Sequence, residues 1–175
     1  MNRVKDSRSR GFTVIELLVV IVVIGILAAL TVVSYQGIQE RTRDAQRMQD
    51  LKAIQKGLIM YRSKFGSFPL PKGVSSGTWE TTLQNQTGGF ISDLSTSDIM
   101  PQVPIDPKNS GQFYYRYFRY TAGTSGCDPA RGAIAVIQAI DMETSSRPHP
   151  QSPGFSCPSR SWDTEADFTI GIFEN

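Results

Sequence analysis

The feature that most constrains this chain is an apolar run of 22 residues, 12–33, broken by a single carboxylate, Glu16. As a helix at ~1.5 Å per residue it spans about 33 Å, close to the ~30 Å hydrocarbon core of a bilayer. The eleven residues before it hold Arg3, Lys5, Arg8 and Arg10 against Asp6 alone. By the positive-inside rule this basic leader stays in the cytoplasm and everything after Val33 emerges on the outer side. Without the leader the chain has 14 basic and 15 acidic side chains, and no nucleic-acid surface is indicated. The residues outside the run suffice for one small domain.

A secretory signal peptide would have a shorter apolar core followed by a small-x-small cleavage site. The nearest approach, Ala28-Ala29, lies inside the run. A plain bitopic anchor accounts for length and flanks but gives no use to Glu16, whose insertion costs up to ~2.5 to 3.5 kcal/mol at mid-membrane and less near an edge.

Gly11, then Phe12-Thr13-Val14-Ile15-Glu16-Leu17-Leu18, then the apolar residues 19–30 resemble the N-terminus of type IV prepilins and the related pseudopilins. The resemblance implies that a membrane peptidase cuts between Gly11 and Phe12 and methylates the new amine of Phe12. It also implies a use for the carboxylate. Cleavage creates an ammonium at Phe12, and neither charge is welcome in the membrane alone. Glu16 is expected to pair with the Phe12 amine, within one helix or between neighbouring subunits, and so to set register in a filament.

Past Val33, Tyr35, Ile38, Ala45, Met48, Leu51, Ile54, Leu58, Tyr61 and Phe65 recur at mostly three- and four-residue steps, a helical stripe, with Arg41, Arg43, Asp44, Arg47, Asp50, Lys52 and Lys56 mostly off it. No proline occurs before Pro69, so one helix over residues 12–64 is predicted, roughly 80 Å long. Residues 12–34 form its membrane or filament-core half and 35–65 its amphipathic half. Many pilins carry a proline about where Val33 stands. This chain has none, leaving Gly25 and Gly37 as the helix's weak points.

The helix exit at Gly66-Ser67-Phe68-Pro69 is similar to that of many pilins and pseudopilins. A connecting loop, 66–111, follows, with short helical turns expected at 79–83 and 90–94. Its end, "VPIDP" at 103–107, resembles the Pro-x-Asp-Pro turn before a Tyr-rich strand in pseudopilins and some major pilins, although Lys108-Asn109 stands where tryptophan-glycine often follows. Strands are predicted at 113–121, 133–140 and 168–173 from their β-branched and aromatic content. The expected fold is α+β: the long helix packed on an antiparallel sheet head, residues 112–175.

Cys127 and Cys157 stand 30 residues apart with no C-x-x-C pair or neighbouring histidine, and a disulfide is the leading reading if this region leaves the cytoplasm. It would close the Pro-rich loop 142–167, like the disulfide-bounded C-terminal loop of many pilins, and stabilise by roughly 3 to 4 kcal/mol.

No enzymatic chemistry is expected, since the lone His149 sits among prolines in "RPHPQ" with no nucleophile beside it. No cofactor is expected either. Asp163, Glu165 and Asp167 alternate in a loop and are the only calcium candidates, suggested by the calcium-binding C-terminal loop of some pseudopilins, but they lack an EF-hand's glycine and final glutamate. Asn85-Gln86-Thr87 is a glycosylation sequon of common type. Phe113, Tyr114, Tyr115, Tyr117, Phe118 and Tyr120 suit core and subunit interface better than a ligand platform.

The resemblance implies a type IV pilus subunit, held in the membrane before assembly and then extracellular, serving adhesion, motility or DNA uptake. Its partners would be the prepilin peptidase, the inner-membrane assembly machinery and further copies of itself. The alternatives are a pseudopilin of a type II secretion or competence system, and a membrane-anchored binding module that does not polymerise.

Overall fold

A computed structural model describes residues 12–72, 78–84, 89–145 and 147–175. Gly11 and Asn85, the expected cleavage and glycosylation positions, lie outside them. Contacts divide the chain into two units, Met1–Gln39 and Glu40–Asn175. Helix α1, Val14–Phe65, has 52 residues and belongs to both. It is continuous through Gly25 and Gly37, at neither of which an added Cβ would meet any atom within 4 Å.

In the first unit α1 carries the apolar stretch, long and apolar enough by composition to cross a membrane. Its side chains stand exposed, Ile15 at 70% and Ile21 at 66%. In the second unit the face of α1 bearing Leu51, Ile54 and Leu58 is fully buried. Each such side chain contributes roughly 1.5 to 3 kcal/mol. Tyr35, Ile38 and Phe65, placed on the same stripe by sequence, are exposed, so only its middle builds the head's core. The helix stops at Gly66, whose φ of 80° lets its N–H turn back to the carbonyl of Arg62 at 2.7 Å.

The sheet consists of β1 (Glu80–Thr81), β2 (Tyr115–Tyr120), β3 (Ile134–Ala139) and β6 (Phe168–Phe173). The order is β1-β2-β3-β6 and every pairing is antiparallel. Register places Tyr117 opposite Ile137 and Ile137 opposite Ile170. One face, with Tyr115, Tyr117, Ala135, Ile137, Ala139, Phe168 and Ile170, packs with Leu51, Ile54 and Leu58 in one cluster. On the other, Ile134, Val136 and Trp162 cluster with Cys127 and Cys157. Both faces of β3 are therefore buried, and the strand is apolar, as expected of a doubly covered strand, except at Gln138, whose amide donates to the Trp162 carbonyl at 2.8 Å and the Thr169 hydroxyl at 2.9 Å.

The α+β expectation holds, and the three predicted strands lie within two residues of their expected ends. The stretch 79–83 is not a helical turn. Glu80 and Thr81 pair with Tyr117 and Arg116, and the Thr82 N–H donates to the Tyr115 carbonyl at 3.0 Å. Cross-strand hydrogen bonds outweigh local turn preference there. The second turn appears as α2, Ser92–Thr96, shifted two residues along. The connecting loop thus supplies an edge strand and is tied inward by Glu80, whose buried carboxylate accepts from the N–H groups of Lys72 at 2.9 Å and Ile91 at 2.6 Å. A short hairpin, β4 (Ser156–Cys157) and β5 (Arg160–Ser161), completes the regular structure.

Candidate functional site

The N-terminal site is built on the first turn of α1. Thr13 precedes the first helical residue, Val14, and Glu16 stands three positions after Thr13. The Thr13 N–H donates to Glu16 Oε2 at 2.7 Å and the Thr13 hydroxyl to the same oxygen at 2.8 Å, while the Glu16 N–H donates to Thr13 Oγ1 at 3.3 Å. This reciprocal arrangement is a capping box, which satisfies helix N–H groups that otherwise lack partners. It gives the carboxylate partners inside its own chain. Thr13 is the residue that sequence reasoning missed, although its signal, Thr-x-x-Glu before an apolar run, was present. Phe12 is 83% exposed beside it.

In the head, Cys127 and Cys157 form a disulfide with Cα atoms 5.1 Å apart. The three calcium candidates take separate partners. Asp163 Oδ1 accepts from the Phe155 N–H at 2.7 Å. Glu165 pairs with Arg160 at 2.7 Å and Arg116 at 3.0 Å. Asp167 pairs with Arg147 at 3.0 Å and accepts from the Met142 N–H at 2.9 Å. His149 accepts at Nδ1 from the Gln151 N–H at 3.1 Å. The aromatic strand splits by alternation: Tyr115 and Tyr117 are core, whereas Phe118 and Tyr120 stack with Trp79 on the opposite face, at 4.6 to 6.0 Å between ring centroids.

The largest unexpected feature is a buried ionic cluster where α1 meets two loops. Arg47, with no exposed surface, donates to Asp106 through Nε at 2.7 Å and through a terminal nitrogen at 3.2 Å. Its other terminal nitrogen reaches Asp44 at 2.7 Å and Glu143 at 2.9 Å. Glu143 also receives Arg43 at 2.5 and 2.6 Å and Lys108 at 2.7 Å. Asp44 accepts from the N–H groups of Glu143 and Thr144, both at 2.9 Å, and from the Thr144 hydroxyl at 2.7 Å.

The bonds from Arg43 first, then those from Lys108 and Arg47, hold the Glu143 carboxyl down to about 2 against burial. Burial opposes the charge on Arg47, but its bonds to Asp106 and Glu143 outweigh this and raise its pKa. Asp106 also accepts from the Lys108 and Asn109 N–H groups at 2.8 and 3.2 Å. The aspartate of the Pro-x-Asp-Pro turn therefore ties residues 106–109 to the helix. Asp44 and Arg47 were legible in principle, since 44, 47, 51, 54 and 58 share one helical face.

Residues 6–32 match the family model described as the prokaryotic N-terminal methylation motif, a span that includes Gly11, Phe12, Thr13 and Glu16. The chain is 37% identical over 102 residues to type II secretion system core protein G of Escherichia coli K12, covering 58% of this chain and 68% of that protein. It is 36% identical over 110 residues to the protein of the same description from Dickeya chrysanthemi, covering 63% of this chain and 60% of that one. It is also 36% identical over 66 residues to the type IV major pilin protein PilA of Myxococcus xanthus, covering 36% of this chain and 30% of that protein. The chain thus spans about three fifths of the Dickeya chrysanthemi relative it matches. No solved structure matches it at a significant level. An apolar helix that opens on this motif and enters an antiparallel head defines a pilin-like protein. The chain belongs to the prepilin-like family, which unites type IV pilins with the pseudopilins of type II secretion.

Proposed function

We propose that this chain is a filament subunit, cut between Gly11 and Phe12 and assembled through the apolar half of α1, with no catalytic role. Hydrolysis of that peptide bond frees the Phe12 amine one residue before the Thr13 cap. The new ammonium then stands within a helical turn of Glu16. In the lone subunit Thr13 occupies the Glu16 carboxylate. In the filament the amine of a neighbour displaces Thr13 and turns a polar group that resists burial into one half of an ion pair. The observation that carries this reading is the capping box at Glu16, the one charged residue of α1 before Glu40.

The filament is best read as the pseudopilus of a type II secretion system. The secretion proteins match over 102 and 110 residues, against 66 for the pilin. In that case the membrane-held subunit assembles from the inner membrane, with the peptidase and assembly machinery as partners, and copies of itself form the fibre. The type IV pilus remains the second reading, supported by the match to PilA, and would add adhesion or motility at the cell surface. Glu16→Ala is the test: leader removal and membrane insertion persist while filaments fail. Normal filaments from that variant overturn the assembly role. Electron microscopy of sheared surface material separates the two fibres, because long abundant pili favour the second reading.

A further inference from the structure

The outward face of α1 in the head is a row of cations without carboxylates. Off the face of the buried positions 44, 47, 51, 54 and 58, Arg41, Lys52 and Lys56 are exposed and fall within about 60° of one another around the helix. None makes an ion pair among the described residues, whereas Arg43, Arg47, Lys72, Lys108, Arg116, Arg119, Arg147 and Arg160 all do. Helix residues 40–65 hold seven basic and three acidic side chains.

Residues 121–167 carry the opposite excess, six acidic against three basic. Three of these carboxylates, Asp128, Asp141 and Asp163, make no ion pair among the described residues; Asp128, inside the segment that the disulfide bounds, is exposed, and Asp163, six residues beyond Cys157, is half-buried. Asp128 and Asp163 each use one oxygen for a backbone N–H, Asp128 Oδ1 for Ala130 at 2.9 Å and Asp163 Oδ1 for Phe155 at 2.7 Å. Arg131, between them in the chain, stacks over the Phe173 ring.

We infer that the cationic face of α1 receives a second copy of this chain, whose Asp128 and Asp163 dock on Lys52 and Lys56. This rests on the filament reading above and assigns it a contact between heads. The acidic excess of residues 121–167 complements this cationic face, which favours a second copy of the chain as its occupant. Exposed pairs of this kind steer and fix register more than they bind.

The direct test is zero-length carbodiimide coupling of unaltered filaments, followed by peptide mass spectrometry. Expected are inter-subunit peptides joining Lys52 or Lys56 to Asp128 or Asp163, present in filaments and missing from detergent-dispersed subunits. Couplings of these lysines only to other carboxylates overturn the inference. In parallel, Lys52→Glu with Lys56→Glu is expected to lower filament yield about tenfold, and adding Asp128→Lys with Asp163→Lys to restore it. Unchanged yield in the first variant contradicts the docking. So does failure of the combined variant to recover while its circular dichroism stays that of the unaltered chain. Binding of the unaltered subunit to phosphatidylglycerol vesicles that is lost in the Lys52→Glu, Lys56→Glu variant assigns the face to lipid instead and likewise overturns it. Filaments absent from the unaltered chain remove the filament reading itself, an outcome distinct from all of these.

Discussion

Arg47→Ala removes the hub of the buried cluster and leaves its carboxylates in place. Asp106, whose side chain is inaccessible, loses the cation it pairs with and keeps two backbone N–H donors. Glu143 retains Arg43 and Lys108, and Asp44 retains Thr144 and the Glu143 N–H. Breaking a buried pair from one side costs about 3 to 5 kcal/mol, because the remaining charge is uncompensated. The assay is urea unfolding of the full chain in detergent micelles, followed by the signals of Trp79 and Trp162.

The pH profile carries the sign. The folded pKa of Glu143 is depressed from 4.5 to about 2, so its stabilisation is complete above the unfolded value and lost as pH falls through about 2. Integrated, that is roughly 3 kcal/mol. Asp44 acts in the same direction. Asp50 and Glu80, whose pKa values burial raises, act oppositely and recover part of the loss on acidification. In Arg47→Ala the loss between about pH 5 and 2 should shrink. A stability loss below ~1 kcal/mol at pH 7, together with an unchanged acid limb, refutes the account of this cluster.

Thr13→Val keeps the shape of the cap residue but removes its hydroxyl. It should weaken the first turn of α1 by about 0.5 to 2 kcal/mol, read as faster amide exchange at residues 14–17. Reduction of Cys127–Cys157 should lower head stability by about 2 to 4 kcal/mol, seen as a lower unfolding midpoint with dithiothreitol. Gly171→Ala would put a Cβ 1.9 Å from Phe155 Cγ. It should displace the ring from Phe173 and Trp162 and cost about 1 to 3 kcal/mol, with matching shifts in aromatic NMR signals.

Much of the helix was readable because periodicity of 3.6 and the first proline at Pro69 leave little choice. Strands β2, β3 and β6 were readable from β-branched and aromatic runs. The edge strand was not, because Glu80 and Thr81 carry no strand pattern of their own and are recruited by Tyr117 and Arg116. The buried charges were misplaced for a related reason. Asp44 and Arg47 look like solvated residues until Asp106 and Glu143 arrive from 59 to 99 positions away. Cys127 and Cys157 stand out because no metal-site spacing surrounds them, whereas Thr13, the partner of Glu16 in the lone chain, is legible only from Thr-x-x-Glu ahead of an apolar run.

The central claim is that this helix becomes a filament element only once Phe12 is its first residue. Intact-mass and N-terminal fragment analysis of the mature protein from membranes tests it directly. The account predicts a chain that begins at Phe12 and carries a methyl group on its amine. A mature chain that retains residues 1–11, or begins after the apolar run, contradicts it.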